Sequence, residues 1–185
     1  VKTLRHSKPV PIFSNFGIET QVQSVYRRKI TLPSGGNIIF DTTEALTSID
    51  VNSAKSTKGG DIEETALNTN IEAAVSLATQ LRLRDIGGLI VVDFIDMLSI
   101  SSQKQVSKKM AEMAKIDKAK IQFSRISKFG LMEISRQKLK SSIVDNTSQV
   151  CPTCGGSGEI KSLSTLSINL VRILEEQAMK TEKAL

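Results

Sequence analysis

Tryptophan is absent from this sequence, tyrosine occurs once, and the aromatic share is only 4%. A core built from such a chain must be aliphatic. Cysteine is equally scarce. The two present, Cys151 and Cys154, form one CxxC, which excludes the disulfide framework of a small secreted protein and suits a reducing cytoplasm. Long apolar runs are missing as well. The strongest, residues 86–95, holds Gly87, Gly88 and Asp93 and is too short to cross a bilayer. The first residues are basic and polar with no apolar stretch behind them, so no secretory signal is visible. Val1 stands where an initiating Met would, as in a segment of a longer polypeptide. No internal repeat or low-complexity tract is found.

What remains is ordinary globular composition. Of 185 residues, 39% are hydrophobic and 24% charged, enough for a sizeable core. Basic residues outnumber acidic ones by 25 to 19, for a net charge of +6. That balance favours polyanion partners such as nucleic acid, although a solvated basic face has the same composition.

Residues 1–20 carry Pro9, Pro11, Asn15 and Gly17 and read as a connecting segment. From 26 to 43 a hairpin is expected around Pro33-Ser34-Gly35-Gly36, and a third strand over 46–52. Asp61 with Glu64 resembles a capping box opening a helix to about 83. Ile62, Ala66, Ala73, Leu77 and Leu81 share one arc of it. The β-branched run 89–94 predicts a strand covered on both faces. Ser101 or Ser102 can cap a second helix to about 119, with Val106, Met110 and Met113 inward. Short strands follow near 121–126 and 131–134, then a polar loop over 138–149, the Cys motif and a last helix over 164–180. Leu163, Leu166, Leu170, Ile173 and Leu174 lie on one side of that helix. The order predicts an α/β layered domain, partly antiparallel.

The chemistry is concentrated in a few places. On a strand, Asp50 and Asn52 share one face while Ile49 and Val51 take the other. Asp93 ends the apolar strand before it, where an ionised carboxylate needs a metal, an arginine or backbone N–H groups as compensation. If the strands are neighbours, Asp50 and Asp93 converge on one divalent ion. Mg²⁺ prefers such oxygens, and it acidifies a bound water, polarises a phosphoryl oxygen and offsets transition-state charge. Turn capping or pairing with arginine is the alternative. Lys55, Lys58, Arg82, Arg84 and Arg136, with Lys138 beyond, are candidates to cradle a phosphate backbone; for Arg82 and Arg84 a cation at a helix C-terminus explains the pattern equally well. Cys151-Pro152-Thr153-Cys154 followed by Gly155 and Gly156 suits two thiolates on one zinc. Structural zinc wants four ligands, and His6 is far off in sequence, so a second copy could supply the other pair across a two-fold axis. A thioredoxin-like redox pair is the competing reading, against which the glycines argue.

Residues 43–53, 59–65, 81–97 and 151–158, in that order, closely resemble the ribonuclease E/G family. The resemblance runs from Pro9 to about Lys180. It implies the end of an RNase H-like subdomain over 1–25, a DNase I-like catalytic subdomain over 26–147, a zinc link over 148–161 and the start of a small dimerisation domain over 162–185. It implies Mg²⁺ on Asp50 and Asp93, support from Asn52, and Zn²⁺ shared by Cys151 and Cys154 with those of another protomer. The expected activity is endonucleolytic cleavage of single-stranded RNA in RNA processing and decay, leaving a 5′-phosphate and a 3′-hydroxyl. The family's S1 domain and 5′-end sensor precede the matched region. Without them, the alternative is a non-catalytic, zinc-linked or RNA-binding fragment. Homodimerisation through zinc is expected, with a higher assembly left open.

Overall fold

The computed structural model describes residue 3, residues 5–54 and residues 62–181. The chain divides into two compact units, Val1–Thr147 and Ser148–Leu185.

The first unit is built on six strands: β1 (Lys29–Thr31), β2 (Asn37–Thr42), β3 (Thr47–Asn52), β4 (Gly88–Asp93), β5 (Ile121–Phe123) and β6 (Leu131–Arg136). They lie in the order β1-β2-β3-β4-β6-β5. Only β3 and β4 run parallel; every other pairing is antiparallel. A parallel pair needs a crossover, and here it contains α3 (Ile62–Leu83). The layered mixed sheet with flanking helices is thus the fold class expected.

Alternation decides which face is covered. Along β3, Thr47, Ile49 and Val51 are buried while Ser48 and Asp50 are exposed. Ile90 and Val92 of β4 and Met132 and Ile134 of β6 continue the buried side. They form one core with Ala66, Ala73, Leu77 and Leu81 of α3 and with Val106 and Met110 of α4 (Ile100–Ala114). Truncating a fully buried residue such as Ile90 to Ala would cost about 2–5 kcal/mol.

Several expectations are corrected. Residues 1–20 are not simply a connector: α1 (Ile12–Asn15) and α2 (Ile18–Val25) lie in and just beyond them, joined by Gly17 at φ +64°. These helices bury almost nothing, so they carry no long apolar stripe to read. The strand 89–94 is not covered on both faces, because Leu89 is about half exposed and Asp93 is exposed. Ile62 is 64% exposed and drops out of the inner arc of α3. The second long helix is capped by Ser99, whose side chain accepts the Ser101 N–H, and it ends at Ala114. The polar stretch after β6 contains a short helix, α5 (Ile143–Thr147). Asp61, the expected cap of α3, lies outside the described residues.

In the second unit the CxxC segment forms turns and leads into α6 (Leu163–Thr181). Leu163, Leu166, Leu170, Ile173 and Leu174 are each at least half exposed. No helix is long and apolar enough to cross a membrane among the described residues.

Candidate active site

Strands β3 and β4 end side by side. Their parallel register pairs Ile49 with Val92 in the core and, one step on, Asp50 with Asp93 on the open face. Paired residues of neighbouring strands lie about 5 Å apart and point to the same side. The two carboxylates that sequence reasoning singled out are therefore brought together by one hydrogen-bonded register. Asn52 follows on the same face, and its Nδ2 donates to Asp50 Oδ2 at 2.6 Å. One oxygen of Asp50 is thereby held in place.

The chain after β4 contributes more than was foreseen. Asp96 Oδ1 lies 3.2 Å and Asp93 Oδ1 3.7 Å from where a Cβ on Gly130 would stand. Partial burial pushes the Asp93 carboxyl above the usual carboxylate range, and the charges of Asp50 and Asp96 push it the same way. This crowding of hard oxygen donors is the environment that a divalent cation relieves, so the residues present fit Mg²⁺ chemically. No cluster of three or more His, Cys, Asp or Glu residues meets metal-site geometry among the described residues. A two-carboxylate site with water and phosphate completing the shell would not require one.

Buried polar groups position this corner. Asn70 of α3, fully buried, donates to the Ile95 carbonyl at 2.8 Å and accepts the Ile95 N–H at 3.0 Å. Glu63, in the first turn of α3, accepts the N–H groups of Leu98 at 2.8 Å and Ser99 at 3.1 Å. The Leu98 hydrogen bond, then Ser102 and Ser99, hold the Glu63 carboxyl below its ordinary range. Glycine is required at 130: its φ is +77°, and a Cβ would meet the Phe94 carbonyl at 3.0 Å. Sequence reasoning missed these four residues. Asn70 did leave a signal, a polar side chain on the apolar arc between Ala66 and Ala73; Asp96 was visible only as an acid three positions after Asp93.

The basic candidates are not gathered here. Arg136 is 3% exposed, bonded to Asp85, Asp117 and the Ile86 carbonyl. Arg84 is 4% exposed, bonded to Gln80 and the Arg27 carbonyl, with its guanidinium 4.3 Å above the Phe40 ring. Both are structural clamps and cannot lie along a phosphate backbone as placed. Arg136 also pairs with Gly88, five residues back along β4 from Asp93, about 16 Å away. A cavity of about 530 Å³ opens at that far end, lined by Tyr26, Phe40, Arg84, Gly88 and Lys138 among others. Arg82 is exposed on α3. Lys55 and Lys58 lie outside the described residues.

In the second unit Cys151 and Cys154 are free, the first exposed and the second half-buried. The Cys154 and Thr153 N–H groups, in that order, pull the Cys151 thiol below its ordinary range. Backbone N–H groups turned toward sulfur favour the thiolate form. Helix α6 begins at Leu163, so the pair does not stand at a helix N-terminus as a thioredoxin-like redox pair does.

The Ribonuclease E/G family model matches residues 1–139, spanning the paired strands and every carboxylate of this corner. The chain belongs to the ribonuclease E/G family. Residues 150–185 match a second model, described as the RNase E/G thioredoxin-like domain. Ribonuclease E of Haemophilus influenzae is 54% identical over 92% of this chain and 18% of its own length. Ribonuclease E of Escherichia coli is 52% identical over 92% of this chain and 16% of its own length. Ribonuclease G of Escherichia coli is 37% identical over 88% of this chain and 33% of its own length. The chain thus spans between about a sixth and a third of these curated relatives.

Proposed function

We propose that this family member is the catalytic part of a Mg²⁺-dependent endoribonuclease that hydrolyses single-stranded RNA in RNA processing and decay. The observation that carries this reading is the register of Asp50 against Asp93, with Asn52 bonded to Asp50. A 5′-phosphate and a 3′-hydroxyl arise when water oxygen bonds to phosphorus and the bond to the 3′ oxygen breaks, that oxygen leaving with a proton. Asp50 and Asp93 are the residues that would hold the cation at the open end of β3 and β4. Asn52 fixes one oxygen of Asp50, and Asn70 and Glu63 keep the segment after β4 from moving away. When bound, Mg²⁺ supplies charge neutralisation at the phosphate and a more acidic water.

The Cys151 and Cys154 thiolates offer half of a structural zinc shell, and the same pair from a second copy completes it. The exposed apolar side of α6 supports self-association beside such a link. Thiols left free in this way suit a reducing, cytoplasmic setting. The partial coverage of the relatives favours one second reading, a zinc-linked RNA-binding portion that needs the rest of a longer chain for turnover.

Asp50→Asn and Asp93→Asn decide between them. Each is expected to abolish Mg²⁺-dependent cleavage of a short single-stranded RNA with fold and zinc content unchanged. Cleavage that survives both changes removes the hydrolytic reading. RNA binding in Ca²⁺ with no cleavage by the native chain in Mg²⁺ or Mn²⁺ favours the second.

A further inference from the structure

The hairpin loop joining β5 to β6, residues 124–130, combines a rigid backbone with an unusually exposed side chain. Ile126 anchors it in the core. The Ser127 hydroxyl accepts the N–H groups of Phe129 at 3.2 Å and Leu131 at 3.3 Å. The Gly130 carbonyl accepts the Phe94 N–H at 3.2 Å, tying the loop to the residue after Asp93. Yet Phe129 is 81% exposed.

A lone exposed apolar residue is common and means nothing by itself. Here the context differs in three ways. Phenylalanine is scarce, and of the six, Phe40 and Phe94 are buried and Phe123 packs on the core, while Phe129 is the most exposed. Its neighbour Gly130 is the residue in contact range of Asp93 and Asp96. Two cations precede it in the same loop: Arg125 and Lys128 are both exposed, and neither forms an ion pair among the described residues. An exposed aromatic ring on a hydrogen-bonded loop that also carries exposed cations is an arrangement by which single strands are bound, bases stacking on the ring while phosphates meet the charges.

We propose that Phe129 is a stacking platform for an RNA base next to the phosphate held at Asp50 and Asp93, with Arg125 and Lys128 meeting the neighbouring phosphates. This rests on the reading of the carboxylate pair as the cleavage site. It supplies a basic, substrate-facing element in place of the buried Arg84 and Arg136.

The test uses the whole chain in Ca²⁺ with a short single-stranded RNA carrying one 5-iodouridine, irradiated and mapped by peptide mass spectrometry. The adduct is expected on the peptide containing Phe129. Phe129→Leu should lose it and bind on the order of tenfold more weakly, while Phe129→Tyr keeps both. Melting temperature should not change, since the side chain packs little. Adducts confined to other peptides, or a Leu variant that binds and crosslinks like the native chain, overturn the proposal. Cleavage in Mg²⁺ separates the two readings. A Phe129 adduct on a chain whose cleavage ignores Asp50 and Asp93 sinks the hydrolytic site and leaves the platform standing. Asp-dependent cleavage with an indifferent Leu variant does the reverse.

Discussion

The side-chain amide of Asn70 satisfies both backbone polar groups of Ile95, donating to its carbonyl and accepting from its N–H. Ile95 lies between Asp93 and Asp96, so a helix on the covered face of the sheet controls the acids on the open one. Asn70→Leu leaves two part-buried backbone groups without this partner, at up to about 1–3 kcal/mol each. The expected result is a lower melting temperature together with weaker Mn²⁺ binding by calorimetry. Unchanged metal affinity in a destabilised variant would show that the clamp serves the fold alone.

Gly130→Ala tests the same corner from the other side. A side chain at φ +77° costs about 1–2 kcal/mol, and the Phe94 carbonyl at 3.0 Å is backbone that cannot swing aside. Divalent-ion affinity should fall by more than the modest loss of stability explains. Chemical denaturation and Mn²⁺ titration on one sample measure both.

Acid should weaken the far end of the sheet. Burial alone would push the Asp117 carboxyl up, but the Arg136 hydrogen bond, the Ala119 N–H and the Arg136 charge together carry it below its ordinary value. A folded-state pKa below the unfolded one contributes stability that is present above about pH 4 and lost as pH falls through the folded value. Unfolding free energy, followed by urea denaturation from pH 7 to 3, should therefore drop on acidification. Asp117→Asn should flatten that drop and lower neutral stability by up to about 3–5 kcal/mol, because Arg136 stays buried with Asp85 alone.

Cys151→Ser combined with Cys154→Ser should abolish bound zinc and lower the mass measured by sedimentation. A variant that loses zinc but keeps its mass would refute the shared-metal link.

The elements that sequence reasoning found with least error are those with strong periodicity. Strand β3 declared its faces through Ile49 and Val51 against Asp50, and α3 declared its core side through Ala66, Ala73, Leu77 and Leu81. Helices α1 and α2 stayed hidden because they are short and almost wholly exposed, so burial imposes no pattern on them. Family likeness rested on contiguous blocks, which local identity alone makes legible.

Residue type and spacing, then, determined which acids could work together, which cysteines could hold a metal, and that the core would be aliphatic. Only tertiary structure decided that Asp50 meets Asp93, since strand register is a long-range hydrogen-bonding choice that neither strand encodes alone. It also decided the fate of the arginines. Charge looks the same in a sequence whether solvated or buried, and it took packing to turn Arg84 and Arg136 inward while leaving Arg125 and Lys128 exposed on the loop between β5 and β6.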